Sequence, residues 1–301
     1  MPSQAAVTEF AALETTLDAH RLRVDAALKE FHRPGRAAEA SAAVEYALFA
    51  PAKRLRPVLA LLTAEILQGD TLALLPAACA IEMVHTASLI LDDLPSMDDA
   101  AQRRGRPATH VAHGEANAIL AAFALQNRGF EVLAAGWPGA PSPTVRLMMA
   151  RELAAAIGLD GMIAGQSVDL SMTGRGVDFE TLEFIHSRKT GALFIASATV
   201  GALAAGAAER ERAAIAAYAK NLGLAFQVVD DLIDVTHTAG EAGKDVNQDA
   251  RKTTFVSFAG VAGARQLALE LAQTSQQALQ IFGPRAQPLR DLARYVVTRG
   301  R

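Results

Sequence analysis

Apolar residues recur at helical spacing through almost the whole of the 301-residue chain, and no stretch shows the strict alternation of a half-buried strand. That pattern restricts the fold to helices packed on helices. It predicts long helices over 5–31, 57–68, 72–94, 115–135, 144–170, 178–205 and 209–235, with shorter ones over 253–260, 262–282 and 288–298. The residues are 51% hydrophobic but only 5% aromatic, and this alanine-rich balance favours helix over sheet. Proline and glycine punctuate the breaks, as at His32-Arg-Pro-Gly, Gly136-Trp-Pro-Gly, Thr173-Gly-Arg-Gly and Gly283-Pro. Segments 72–91 and 194–205 are apolar around most of their circumference, which marks helices at the centre of a large assembly. No linker is long enough to divide the chain. The expected fold is all-α, a single large helical bundle over 1–301 around a central hydrophobic cavity.

Composition removes several function classes. A net charge of −3 with no long basic arm argues against nucleic-acid binding. The single cysteine, Cys79, rules out an intrachain disulfide and is compatible with a reducing compartment. The start of the chain lacks a basic segment followed by an apolar one, so no signal peptide is expected. Segment 71–91 is interrupted by Pro76, Glu82 and His85, which argues against stable membrane insertion. These features lead to the expectation of a soluble, cytoplasmic protein.

Two acidic clusters stand out against this background. One is Asp92-Asp93-Leu-Pro-Ser-Met-Asp98-Asp99; the other is Asp230-Asp231-Leu-Ile-Asp234. Each follows a strongly apolar run, and clustered carboxylates are costly to desolvate unless a positive charge compensates. At about 100° per residue, Gln227, Asp230, Asp231 and Asp234 form one polar face on an otherwise apolar helix. In the first cluster, Pro95 ends or bends the helix at Leu94, so Asp92 and Asp93 occupy its last turn. The macrodipole disfavours carboxylates there, which points to a ligand. Hard oxygen donors suit Mg2+, the cation that bridges to substrate phosphates. Histidine and cysteine are not clustered, so zinc is not expected.

Cationic segments accompany the acids: Lys53-Arg54-Leu55-Arg56-Pro57, Arg103-Arg104-Gly105-Arg106-Pro107, Lys189-Thr190-Gly191, Lys244-Asp245 and Lys252-Thr253-Thr254. Any one of them reads as solvated surface. Together with metal-holding acids they point to a diphosphate site, and the apolar helices offer room for a hydrocarbon tail.

These segments, with His85-Thr-Ala-Ser-Leu-Ile-Leu-Asp-Asp, Gly165-Gln166-Ser-Val-Asp169 and Phe226-Gln227-Val-Val-Asp-Asp-Leu-Ile-Asp, resemble the trans-isoprenyl diphosphate synthase (polyprenyl synthetase) family over residues 50–260, in family order. The resemblance implies head-to-tail transfer of an allylic group onto isopentenyl diphosphate by a homodimer. It implies that Asp92, Asp93, Asp98, Asp230, Asp231 and Asp234 organise Mg2+. Arg103, Lys189, Lys244 and Lys252 would bind the allylic diphosphate, and Lys53, Arg56, His85 and Arg104 the isopentenyl diphosphate. Lys189, Thr190 and Gln227 would be catalytic, the last two shielding an allylic cation with their oxygens. Gln166 and Asp169 are expected to line the site, whereas Met83, Met97 and Met162 are expected to pack.

Product length is set below the metal site. Ser88, Val84 and Ile81 share a helical stripe with Asp92, and Ala87 flanks it. In the family an aromatic residue at the position of Ala87 or Ser88 often stops growth; here both are small. This resembles bacterial geranylgeranyl diphosphate synthases and implies a C20 product. Phe123 is the opposing feature, as a possible floor implying a farnesyl diphosphate synthase. Pro51-Ala52 before Lys53 and Ala100-Ala101-Gln102 before Arg103 also depart from the family pattern. Two further alternatives are a class I terpene cyclase and a non-catalytic synthase subunit. Lys53 and Arg56 argue against the first, and retention of both Asp clusters against the second.

Overall fold

The computed structural model describes residues 9–236 and 253–298, and these are all-α apart from one two-residue hairpin. Helices α1 (Ala11–Phe31), α2 (Ala38–Leu48), α3 (Leu55–Ile66) and α4 (Thr71–Asp92) come first. The hairpin pairs β1 (Gln102–Arg103) with β2 (Arg106–Pro107). Next come α5 (Thr109–His113), α6 (Glu115–Ala135), α7 (Pro143–Ile157), α8 (Met162–Met172) and α9 (Phe179–His186). A π-helical turn, Ser187–Gly191, leads into α10 (Ala192–Ala204). Helix α11 (Glu209–Thr236), α12 (Phe255–Ala278), a 3-10 turn (Gln280–Ala286) and α13 (Gln287–Thr298) complete the described chain.

Helices α4 and α10 are central, as their apolar circumference predicts. Helix α4 packs against α1, α3 and α6, and α10 against α3, α7 and α11. From Ala77 to Val84 every residue of α4 is buried, including the carboxylate of Glu82. Each fully buried leucine or isoleucine in such helices contributes roughly 2 kcal/mol of burial. Asp70 caps α4 by accepting from the Leu72 and Ala73 backbone N–H groups at 2.9 and 3.0 Å. By length and composition α4 could cross a membrane, but 72% of its most apolar window is buried inside the protein.

Several boundaries differ from the periodicity. The helix expected over 144–170 is broken after Ile157, at the Gly158–Gly161 segment. The one expected over 178–205 is interrupted by the π turn. The two short helices expected over 253–282 run as one element bent at Gly260, whose φ of 69° is open to glycine at little cost. Helices α2 and α5 were not expected. Helix α2 buries only Ala43, Val44, Ala47 and Leu48, a small stripe within an alanine-rich segment.

Candidate active site

A cavity of about 350 Å3 opens among the C-terminal turns of α4, helix α8, the π turn and the C-terminal half of α11. The first acidic cluster forms one wall. After Asp92 the chain folds back on the helix end. The Asp98 N–H donates to the Asp92 carbonyl at 3.0 Å, and the Ala100 N–H to the Asp93 carbonyl at 3.2 Å. These bonds satisfy carbonyls that a helix end leaves open. They also set Asp98 beside Asp92, and both carboxylates line the cavity.

Asp93 has a different placement from the one expected of a metal ligand. It is 2% exposed and does not line this cavity. Its carboxylate accepts from Arg103 Nε at 2.8 and 3.1 Å and ion-pairs with Arg103 Nη2. Burial lifts the Asp93 carboxyl above its ordinary range, with Arg103 opposing. Burial pulls the Arg103 guanidinium down, but the bonds to Asp93 and the nearby Asp92 and Asp98 outweigh it and leave it raised. Arg103 itself lines the cavity, so Asp93 aims a cation at the site.

The opposite wall is the polar face of α11. Gln227, Asp230, Asp231 and Asp234 all line the cavity, as their spacing predicts. Asp231 is buried, and protein donors reach both of its oxygens: Gln227 Nε2 at 2.9 Å and the Phe255 N–H at 2.9 Å. The Thr190 hydroxyl donates to Gln227 Oε1 at 3.0 Å. A hydrogen-bonded chain therefore runs from the π turn through Gln227 to the start of α12.

The π turn brings Lys189 and Thr190 to the cavity, an arrangement typical of π-helical distortions at functional sites. Gly165 of α8 permits it. A Cβ at Gly165 would overlap the Lys189 backbone nitrogen and crowd the Ile185 carbonyl oxygen at 2.8 Å. Lys189 Nζ lies 2.9 Å from Asp169 Oδ2, 3.3 Å from Asp92 Oδ1 and 4.0 Å from Asp98 Oδ2. Burial disfavours this ammonium, but Asp92, Asp169 and Asp98 outweigh burial and raise its pKa above the usual lysine value. Gln166 Nε2 donates to Asp92 Oδ1 at 2.8 Å, so Gln166 and Asp169 tie α8 to both Asp92 and Lys189.

This donor set fits a hard divalent cation. The carboxylates of α4 and α11 face one cavity, and an ammonium already sits among three acids. Among the described residues no three acidic, histidine or cysteine side chains are placed to hold a metal ion by themselves. Mg2+ keeps water and phosphate oxygens in its shell rather than a full protein cage, so the cavity carboxylates alone need not complete its coordination.

A second cationic cluster adjoins the cavity. Arg56 Nη1 lies 3.0 Å from His85 Nε2, and both residues line the cavity. Arginine only donates, so Nε2 accepts and the neutral imidazole carries its proton on Nδ1. Both His85 Nδ1 and Arg56 Nε are buried with no hydrogen-bond partner among the described residues. Two buried donors without an acceptor call for an anion. Burial, then the charges of Arg56, Arg104, Arg103 and Arg54, hold the His85 pKa well below the usual value. Burial, with Arg104 adding and Glu82 opposing, lowers the Arg56 guanidinium to about 10.

The remaining expected residues are distributed unevenly. Arg104 sits on the hairpin turn, behind the Arg103 wall, in a cavity of only about 30 Å3. Lys53 lies in a separate cavity of about 280 Å3 between α1 and α13. The left-handed backbone of Arg54, φ 51°, turns the chain between Lys53 and Arg56, so the two do not share a cavity. Lys244 and Lys252 lie outside the described residues.

Of the expected tail pocket, only Ser88 lines the cavity, with Leu89, Leu91, Met162 and Ile163 beside it. Ile81, Val84 and Ala87 are 1%, 2% and 1% exposed and pack into the core. Phe123, named as a floor of the tail pocket, does not line this cavity. It is 61% exposed on α6, on an outward face with Ile119 and Leu120. Met97 and Met162, expected to pack, line the cavity, while Met83 is fully buried. Sequence reasoning missed His186, which lines the cavity and lies 5.0 Å from the Phe255 ring centroid. Its position four residues before Thr190 was the available signal.

A family model described as polyprenyl synthetase matches residues 37–287. Geranylgeranyl pyrophosphate synthase 9, chloroplastic, of Arabidopsis thaliana is 42% identical over 263 residues, covering 85% of this chain and 73% of that protein. The crystal structure of an FPP/GFPP synthase from Zymomonas mobilis superposes with a TM-score of 0.85 at 35% identity, covering 95% of this chain and 99% of that one. A geranyltransferase from Helicobacter pylori, complexed with magnesium and isoprenyl diphosphate, gives a TM-score of 0.83 at 29% identity, covering 94% of this chain and 96% of that one.

Proposed function

The chain belongs to the polyprenyl synthetase family, and on that premise we propose that it condenses isopentenyl diphosphate head-to-tail with allylic diphosphates to give geranylgeranyl diphosphate and pyrophosphate. The observation that carries this reading is the pair of anion sites around one cavity. Carboxylate walls with Lys189 and Arg103 suit a metal-bound diphosphate, and the unpartnered donors of Arg56 and His85 suit a second one.

Asp92 and Asp98 on one wall and Asp230 and Asp234 on the other would hold Mg2+. When bound, the metal supplies positive charge that stabilises a departing pyrophosphate. Asp93 and Asp231 contribute by fixing Arg103 and Gln227. Arg103 and Lys189, with Lys244 and Lys252, bind the allylic diphosphate. Arg56 and His85 form the isopentenyl diphosphate side at this cavity, whereas Lys53 and Arg104, assigned to it by the resemblance, line neighbouring cavities. The C1–O bond of the allylic diphosphate breaks, and the oxygens of Thr190 and Gln227 face the positive charge left on carbon. The isopentenyl double bond forms the new C–C bond, and pyrophosphate accepts the proton that restores an alkene. These donors stand in place before the reaction begins, which is where most electrostatic rate enhancement arises.

A C20 product is supported by the cavity lining, which includes no Phe, Tyr or Trp among the described residues. It is supported also by the geranylgeranyl pyrophosphate synthase named above. Farnesyl diphosphate is the alternative product, favoured by the FPP/GFPP synthase among the structural neighbours. The reading takes residues 1–301 as one domain, the outward apolar face of α6 as a homodimer contact, and the location as cytoplasmic. Sedimentation of the purified chain tests the dimer, and cell fractionation tests the location.

The function itself is tested with the purified chain, Mg2+, labelled isopentenyl diphosphate and an allylic diphosphate. Label should enter longer prenyl diphosphates only when both substrates are present. Consumption of the allylic diphosphate alone would instead identify a cyclase, and inactivity of the chain by itself would identify a non-catalytic subunit.

A further inference from the structure

Two non-glycine residues in separate loops adopt the left-handed backbone and extend toward one buried carboxylate. They are Arg54, φ 51°, at the start of α3, and Arg104, φ 55°, on the hairpin turn. The carboxylate is Glu82 of α4, which is 1% exposed. Arg54 Nη1 lies 2.6 Å from Glu82 Oε1, and Arg104 Nη2 lies 3.7 Å from the same oxygen. The left-handed region is disfavoured for arginine, so surrounding contacts must hold it there. Arg54 is well held: it also donates to Asp25 Oδ1 at 2.9 Å and to the Leu48 carbonyl at 2.7 Å. Glu82 lies three residues before His85 on the same helix, so it underlies the imidazole by one turn.

We infer that Glu82 is a positioning residue for the isopentenyl diphosphate site: through Arg54 it fixes the loop that delivers Arg56, and directly it restrains Arg104 beside His85. The inference rests on the reading of the Arg56–His85 cluster as that site. Electrostatics point the same way, because Glu82 is the counter-charge to a crowd of guanidinium groups that would otherwise spread apart. Glu82 lies outside the cavity lining, so it acts through the arginines.

The test compares KM values for the two substrates in Glu82→Gln and Arg56→Gln, each with kcat and thermal midpoint. Arg56→Gln should raise KM for isopentenyl diphosphate selectively; if it does not, the site reading itself fails. Given that result, Glu82→Gln should raise the same KM by about tenfold, the size of one loosened charged hydrogen bond, and leave the allylic KM within about threefold. Glu82→Asp should recover part of the loss. A proportional rise in both KM values, with a lower thermal midpoint, would overturn the inference and make Glu82 a fold residue only. Should Glu82→Gln fail to fold, Asp25→Asn loosens Arg54 from its more exposed side and must produce the same selective rise; an unchanged KM for isopentenyl diphosphate there overturns the inference.

Discussion

Lys189 and Asp92 meet across the cavity, with Nζ 3.3 Å from Oδ1, and Asp169 holds the same ammonium from α8 at 2.9 Å. One cation thus links the acidic wall of α4 to the π turn that carries Thr190. Lys189→Ala should lower kcat by roughly 100-fold, the scale seen when one group stabilising developing charge is removed. Steady-state kinetics at saturating Mg2+ check this. A drop of less than about threefold would separate Lys189 from the reaction.

Asp92 and Asp93 are neighbours with different environments, and their variants should behave differently. Asp92→Asn removes a cavity carboxylate and should raise the Mg2+ concentration needed for half-maximal turnover by about an order of magnitude or more. Asp93→Asn leaves the cavity carboxylates in place but loosens Arg103 and strands a buried amide. It should cost about 1–3 kcal/mol of stability and raise the allylic KM, with a smaller change in Mg2+ dependence. Thermal unfolding and Mg2+ titrations of activity distinguish the two. Equal shifts in Mg2+ dependence would place Asp93 among the metal ligands.

Gly165→Ala should damage the site through the backbone alone. The added methyl overlaps the Lys189 nitrogen, so α8 or the π turn must move. The expected result is a loss of about 1–3 kcal/mol in stability together with a fall in kcat. Wild-type kinetics in this variant would show that α8 and the π turn are not packed as described.

The all-α fold and both acidic walls of the cavity were legible in the sequence for a physical reason. The spacing of Gln227, Asp230, Asp231 and Asp234 on α11 determines which way they face, because a regular helix fixes that by geometry. That geometry stops where the helix does: Asp93 caps the end of α4, and spacing cannot show that its carboxylate turns to Arg103. At Phe123, periodicity shows that α6 has an apolar face but not whether that face meets the cavity or the outside. The π turn was invisible for a related reason: segment 178–205 keeps its helical pattern, and only the close approach of Gly165 shows where the extra residue is accommodated.

His85 gives stability a pH dependence of definite sign. Burial and four arginines hold its pKa in the folded chain well below the usual value. The unfolded chain therefore binds a proton at this residue below about pH 6.5, and the folded chain does not. Stability from His85 is complete above that pH. It is lost as pH falls, by at most about 1.4 kcal/mol per unit, until the folded pKa is reached. Denaturant midpoints of the wild type and His85→Gln between about pH 7 and 5 check this. The variant should lose less stability on acidification, and parallel curves would contradict the assignment.

Ser88 is the one residue of the α4 stripe below Asp92 that lines the cavity, and on the proposed function it is the residue there that limits product length. Ser88→Phe should shorten the product by one five-carbon unit, whereas Phe123→Ala, on the outward face of α6, should leave it unchanged. An unchanged length in Ser88→Phe would remove Ser88 from the tail pocket.

The most direct measurement is chromatography of the dephosphorylated products made by the purified wild-type chain. The assay supplies Mg2+, labelled isopentenyl diphosphate and dimethylallyl or farnesyl diphosphate. The account predicts geranylgeraniol, the C20 alcohol, as the dominant labelled product from either primer. A dominant C15 alcohol from dimethylallyl diphosphate, with farnesyl diphosphate not extended, would contradict it.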